Sequence, residues 1–213
     1  MSMCTVIFDP YFRAATAVCV GLCLGNSLTG INAINSFSSR LLTDINNDNP
    51  DHSIKPALGN AMVGAIQWLG CLIAPFVAGV NVRKVLISGF LVMGAFEIAL
   101  GIFNVYHKDT LVLGCLLGAL FVYQISLGTY TWTYIAEVGN EKAQALGSVF
   151  LWGCIQSLFV NYMFDFFGDA GTFWLYGGLS FFIGILMLIF MRETQGLTQE
   201  ETKVLYVPKR LRV

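Results

Sequence analysis

Amide side chains and one tryptophan stand inside long apolar runs of the sequence, where polar groups are costly to place. They are Asn26, Ser27, Asn32, Gln67, Gln124 and Trp132, with Ser27 contributing a hydroxyl. Asn and Gln donate and accept hydrogen bonds at once, as a sugar hydroxyl does, and tryptophan offers an apolar face with one donor. The set suits a neutral polyhydroxyl ligand. The alternative is that the amides hydrogen-bond neighbouring helices together, and periodicity alone does not separate the two interpretations.

A single carboxyl, Glu97, lies near the middle of another apolar run. Ionisable groups at membrane depth normally face a cavity or a partner. Glu97 is therefore either a proton relay or a structural carboxyl, protonated and hydrogen-bonded between helices. We favour the structural role, because a lone buried carboxyl usually stays neutral.

Composition excludes several classes of protein. Of 213 residues, 56% are hydrophobic and only 12% are charged, whereas a soluble domain carries about 25% charged residues. The net charge of -1 gives no electrostatic basis for binding nucleic acid. The six cysteines form no CxxC pair and predict no metal site. Without a nucleophile–base set, we expect no catalytic residues, no enzyme activity and no cofactor.

Six apolar stretches are long enough to cross a bilayer as helices, which takes about 20 residues each. They are residues 12–37, 58–80, 85–105, 111–135, 145–167 and 172–191. The sequence thus predicts an all-α integral membrane protein, with residues 1–213 forming one six-helix domain. Residues 192–213 are expected to form a tail on the cytoplasmic side, with the basic stretch 203–213 in solvent. With the N-terminus inside, nine of the 12 lysines and arginines fall on inner segments, so both termini are expected on the cytoplasmic or equivalent side.

Three stretches of the chain resemble the sugar porter family of the major facilitator superfamily. Residues 26–34 read NSLTGINAI and are similar to that family's seventh-helix QQLTGINAI. Residues 128–137 keep Gly128, Trp132 and Glu137 of the tenth-helix pattern GPxPWxxxxE. Residues 170–175 (AGTFWL) and 192–201 (RETQGLTQEE) are similar to the twelfth helix and the PETKGL signature after it. The resemblance implies the C-terminal six-helix half of such a transporter.

The resemblance also implies which residues line a sugar site. Asn26 and Ser27 replace the family's Gln-Gln pair with shorter side chains, and Asn32 keeps the family's Asn. Gln67 falls at the eighth-helix Asn, Gln124 at the tenth-helix Glu, and Trp132 at the tryptophan under the sugar. The eleventh-helix Asn-Trp pair falls at Gly153 and Cys154, so that contact is absent.

The family's inner charge network and hinge have changed in this chain. Its retained or replacing members are Arg83, Lys84, Glu137, Lys142 and Glu193. The tenth-helix prolines are replaced by Thr129 and Thr131. Because proline creates a hinge in a helix, we expect this helix to be stiffer than in the family.

Two functions follow, since alternating access needs two opposing lobes. The one we favour on sequence grounds is a non-transporting accessory subunit of a larger membrane complex. The other is transport of a hexose-type sugar, facilitated or proton-coupled, as a homodimer or with a separate N-terminal half. The partners are then the bilayer, other membrane subunits or a second copy, and a neutral sugar. The family analogy suggests the plasma membrane, and an accessory role an organellar one such as the mitochondrial inner membrane.

Overall fold

In a computed structural model, residues 8–38, 56–77, 81–139 and 150–208 are described, and their regular secondary structure is entirely helical. Helical geometry satisfies every backbone hydrogen bond within the segment, which the hydrocarbon requires. The helices are α1 (Arg13–Leu28), α2 (residues 31–38), α3 (Pro56–Val77), α4 (Val82–Val105), α5 (Asp109–Tyr123), α6 (Thr129–Val138), α7 (Phe150–Phe190) and α8 (Gln199–Val204). A π-helical segment, Gln124–Gly128, joins α5 to α6.

Four of the described helical runs are long and apolar enough to cross a membrane. They are Arg13–Ser38, Val82–Val105, Thr110–Val138 and Phe159–Phe190, and a shorter apolar helix covers Ala61–Val77. The all-α membrane fold predicted from the sequence is thus confirmed. The count of six crossings and the side on which the termini lie stay predictions.

The long run α7 reverses direction at Gly168. This residue has non-helical dihedral angles, φ 68° and ψ 174°, and Thr172 Oγ1 donates to the carbonyls of Met163 at 3.0 Å and Gly168 at 2.8 Å. In a straight helix, residues 163 and 172 would be about 13 Å apart along the axis. Tyr176 also reaches back, with its hydroxyl 3.1 Å from Met163 Sδ. The run is therefore a hairpin of two limbs, which correspond to the separately predicted segments 145–167 and 172–191.

Helix α4 buries one face against the rest of the bundle. Its side chains Leu86, Phe90, Met93 and Leu100 are fully buried. Its glycine Gly94 faces the second limb of α7, where an added Cβ would lie 3.0 Å from the carbonyl oxygen of Gly177. The absence of side chains at this crossing lets the two backbones approach closely, as is common for helices packed in lipid.

The C-terminal segment is anchored to the end of the bundle by a few buried residues, while Lys203 and most of its other side chains are exposed. Tyr206 and Val207 are buried, at 8% and 3% exposure. Tyr206 Oη accepts from the backbone N–H of Arg192 at 2.7 Å and lies 2.6 Å from Tyr134 Oη, which donates to the Arg192 carbonyl at 2.8 Å. The Tyr206 hydroxyl must therefore donate to Tyr134, which closes a ring of three hydrogen bonds between the tail and α6.

A capping box starts the terminal helix α8 and makes it sensitive to acid. Thr198 donates from its backbone N–H and its hydroxyl to Glu201 Oε2, at 2.8 and 3.0 Å. These bonds lower the pKa of Glu201, so the stability they add is present at neutral pH and is lost as pH falls through that lowered pKa.

We expect the protection factors of the α8 amides, measured by hydrogen-exchange mass spectrometry, to be lower in acid than at neutral pH, while those of the bundle change less. A Glu201→Gln variant should show little of this difference, and an unchanged pH dependence in that variant would contradict the assignment.

Candidate functional site

The first apolar run is interrupted at Thr29 and Gly30, between α1 and α2. Gly30 has φ 69°, and Thr29 Oγ1 donates to the carbonyl of Asn26 at 2.7 Å. A Cβ at Gly30 would lie 2.7 Å from Glu97 Oε1 and 2.7 Å from Tyr176 Cγ. Only glycine suits this position, because it needs both a left-handed backbone and the space of a missing side chain. Such discontinuous helices are typical of binding sites in membrane carriers.

The side chain of Glu97, on α4, packs against this break. It is fully buried, and its Oε2 accepts from Ser180 Oγ at 2.9 Å. Among the described residues, Oε1 has no hydrogen-bond partner. The bond to Ser180, on the second limb of α7, is the interhelical contact expected for a structural carboxyl.

The predicted amides hydrogen-bond partners on other helices. Gln67 Nε2 of α3 donates to Asn35 Oδ1 of α2 at 3.1 Å. Gln124 Nε2 lies 2.8 Å from Cys71 Sγ of α3. The side chain of Asn26 on α1 lies beside the hydroxyl of Tyr123, and its amide oxygen, Oδ1, is buried without a hydrogen-bond partner in the described structure. These contacts bring amides from α1, α2, α3 and the π-helical segment against one another or against neighbouring helices.

Two participants in these contacts were not among the predicted site residues. Asn35 follows Asn32 by three positions, which places both on one face of α2, and this spacing was the signal that could have identified it. Tyr123 directly precedes Gln124 at the end of α5, and nothing in the sequence pattern distinguishes it from the other aromatic residues of the bundle.

The remaining residues predicted to bind sugar have more exposed side chains. Ser27 and Asn32 are half-buried, on α1 and α2. Trp132 on α6 is 46% exposed, and it lies two helical turns beyond Gln124. A half-exposed indole can offer its face to a ligand or to another membrane component.

The helix that carries Gln124 is irregular although it lacks the family's prolines, and its greater stiffness stays a prediction. It contains the π-helical segment Gln124–Gly128, and Thr129 Oγ1 donates to the carbonyl of Gln124 at 2.9 Å. The hydroxyl thus satisfies a carbonyl where the family has a proline. Across from it, Gly70 of α3 leaves room for the Gln124 side chain, since a Cβ there would lie 2.8 Å from Gln124 Cβ. Single π-helical turns are frequent at functional sites.

Two of the predicted charged residues hydrogen-bond backbone groups. Arg83 Nη2 donates to the carbonyl of Leu188 at 2.6 Å, and Glu193 Oε1 accepts from the backbone N–H groups of Thr194 and Gln195, both at 3.1 Å. Glu137 Oε2 is buried without a hydrogen-bond partner in the described ranges, and Lys84 is exposed. Lys142 lies outside the described residues, so the inner charge network stays a prediction.

Comparison with solved structures supports the fold. A double-tryptophan variant of XylE matches with a TM-score of 0.79, over 92% of this chain and 44% of that one, at 19% sequence identity. At this level of identity the likeness concerns the fold alone.

Sequence comparisons give relatives that are named as sugar transporters. An arabinose-proton symporter of Bacillus subtilis is 26% identical over 97% of this chain and 46% of the relative. Facilitated trehalose transporters of Drosophila pseudoobscura pseudoobscura and Bombyx mori are 25% and 26% identical, over 87% and 93% of this chain and 22% and 41% of theirs. The chain thus spans less than half the length of these relatives.

A family model described as "Sugar (and other) transporter" matches residues 2–206, nearly the whole sequence. The match includes the broken first span, the amides around it and the π-helical segment. The chain belongs to the sugar transporter family.

Proposed function

We propose that the chain forms the ligand-lining lobe of a membrane carrier for a neutral sugar, working against a second lobe. The observation that carries the proposal is the pair Gln67–Asn35, in which amides of two helices meet beside a broken span. The names of the sequence relatives, all transporters, support the same activity. This changes the preference drawn from the sequence, where the accessory role came first.

The Gln67–Asn35 pair can act as a recognition unit. With Gln67 Nε2 donating to Asn35 Oδ1, the oxygen of Gln67 and the nitrogen of Asn35 are available to a ligand, one as acceptor and one as donor. A sugar hydroxyl can use both at once. Trp132 would add an apolar face for the C–H surface of the ring. The neutral amides suit an uncharged sugar better than an anionic substrate.

The opposing lobe is also part of this proposal. Alternating access requires two bundles that rock about a fixed site. The second lobe is either another region of a longer protein, a separate chain, or a second copy.

Sugar uptake by proteoliposomes tests the proposal. We expect the protein, reconstituted with its opposing lobe, to take up labelled arabinose or trehalose, and Gln67→Leu to lower apparent affinity about tenfold, since a lost hydrogen bond to a buried polar group costs about 1–2 kcal/mol. The matched control is Gln199→Leu, which removes an exposed amide from α8 and should leave affinity unchanged. Uptake that is indifferent to both substitutions would refute the site, and an absence of sugar uptake and binding would refute the activity.

A non-transporting accessory subunit is the second candidate. It is favoured by the fact that Gln67 and Gln124 already have side-chain partners within this chain, as amides that only join helices would. Extraction in mild detergent distinguishes the candidates, because an accessory subunit should elute in a defined larger complex, whereas a carrier should elute with no more than its opposing lobe.

A further inference from the structure

A groove on the outer side of α4 is separate from the amide site. Along α4, the exposed residues include Lys84, Ser88, Leu91, Val92 and Ala95. Their spacing of three and four defines one face of the helix, turned away from the buried Phe90 and Met93. In a membrane-spanning bundle, an exposed face of this composition lies against lipid.

The groove runs along this face, between α4 and the helix that contains the π-helical segment. Its volume is about 440 Å³. Lys84, Ser88 and Val92 line one side, and Phe121, Val122 and Ile125 line the other. Lys84 and Val92 are eight residues apart, which corresponds to a length of about 12 Å on a helix.

Small and internally bonded residues form the floor. Gly89 meets Ser126 there, since a Cβ at Gly89 would lie 2.5 Å from Ser126 Oγ. The Ser126 hydroxyl donates to the carbonyl of Val122 at 2.6 Å, and Ser88 Oγ donates to the carbonyl of Val85 at 3.1 Å. With both hydroxyls turned to their own helices, the groove offers little to a polar ligand and favours a hydrocarbon chain.

The side chain of Lys84 lies at one end of the groove. Lys84 lies in the first turn of α4, which begins at Val82, so its ammonium is at the end of the spanning segment. Its neighbour Arg83 is held by the Leu188 carbonyl. An exposed lysine beside an apolar groove at the membrane boundary is complementary to a lipid with an anionic headgroup.

We propose that this groove binds one acyl chain of an anionic phospholipid, with the headgroup phosphate on Lys84. The exposed Lys84 beside the apolar lining favours a phospholipid over a transmembrane helix of a partner protein, because a phospholipid supplies a hydrocarbon chain and an anionic headgroup together. The site does not depend on whether the chain transports sugar.

Native mass spectrometry of the protein from nanodiscs tests the proposal. Nanodiscs would contain either phosphatidylglycerol or phosphatidylcholine, with the same acyl chains. We expect the protein to retain phosphatidylglycerol preferentially, and Lys84→Gln to reduce that retention about fivefold, the equivalent of about 1 kcal/mol for one basic residue at the surface. Lys108→Gln, an exposed lysine beyond the other end of α4, is the charge control and should not change retention.

A second substitution separates the groove from the charge. Ser88→Trp should fill the groove and lower retention of both lipids, whereas Leu91→Trp, on the same helix but outside the groove lining, should not. Equal retention in the wild-type protein and both groove variants would overturn the proposal. Loss of retention in the Leu91 and Lys108 controls would also overturn it, and so would a second protein chain in place of lipid. Sugar uptake is not measured here, so failure of this site leaves the transport proposal unaffected.

Discussion

Gly30→Val should destabilise the protein by about 2–6 kcal/mol, because it combines two penalties. A β-branched residue is strained at φ 69°, at a cost of about 1–3 kcal/mol. Its Cβ would also lie 2.7 Å from Glu97 Oε1 and from Tyr176 Cγ, and overpacking of this kind costs about another 1–3 kcal/mol. The unfolding temperature in detergent, monitored as loss of the folded peak in size-exclusion chromatography, measures the effect.

The control for Gly30 is Gly178→Val. Gly178 lies in the second limb of α7, and a Cβ there would meet nothing within 4 Å. Its substitution should leave the unfolding temperature nearly unchanged. If both variants unfold alike, the break at Gly30 is not held by Glu97 and Tyr176 as described.

Glu97→Lys should prevent folding, whereas Glu97→Gln should be tolerated. Glu97 is fully buried with one hydrogen bond, from Ser180, and a lysine there would place an unpaired charge in the core at a cost of about 3–5 kcal/mol. Glutamine keeps the shape and an oxygen that accepts from Ser180. Its folded yield should equal that of the wild-type protein.

The same glutamine variant separates the two roles left open for Glu97. If the carboxyl is structural and neutral, uptake by the wild-type protein and by Glu97→Gln should have the same pH profile. If it relays protons, the variant should lose the pH dependence of uptake while its unfolding temperature stays the same. A merely structural role cannot produce that second pattern.

The positions of the long helices could be predicted from the sequence, but the breaks within them could not. Long apolar runs predict spanning helices because the hydrocarbon allows few alternatives, and the runs around α4 and α5 match closely. The break at Gly30 was missed because a single glycine is compatible with a continuous helix. Its left-handed conformation depends on Glu97 and Tyr176, which are distant in sequence.

The candidate site could likewise be predicted only in part from the sequence. Residue type and spacing predicted Gln67 and Gln124 as site residues, which they stay as a prediction, whereas their hydrogen-bond partners Asn35 and Cys71 depend on how α2 and α3 pack. The π-helical segment has no signal in the sequence, since its residues Gln124–Gly128 contain no proline. Residues 203–213 were expected in solvent because of their charges, and Lys203 is exposed, whereas Tyr206 and the Arg192 carbonyl both hydrogen-bond Tyr134 of α6.

The reversal at Gly168 bears on how the protein is made. Met163 and Phe164 contact Thr172, Phe173 and Tyr176 across the turn, so each limb of α7 covers polar or aromatic groups of the other. During synthesis the first limb has no such cover until the second emerges from the ribosome. Both should therefore leave the insertion machinery together, and a nascent chain stopped near Gly168 should remain bound to it.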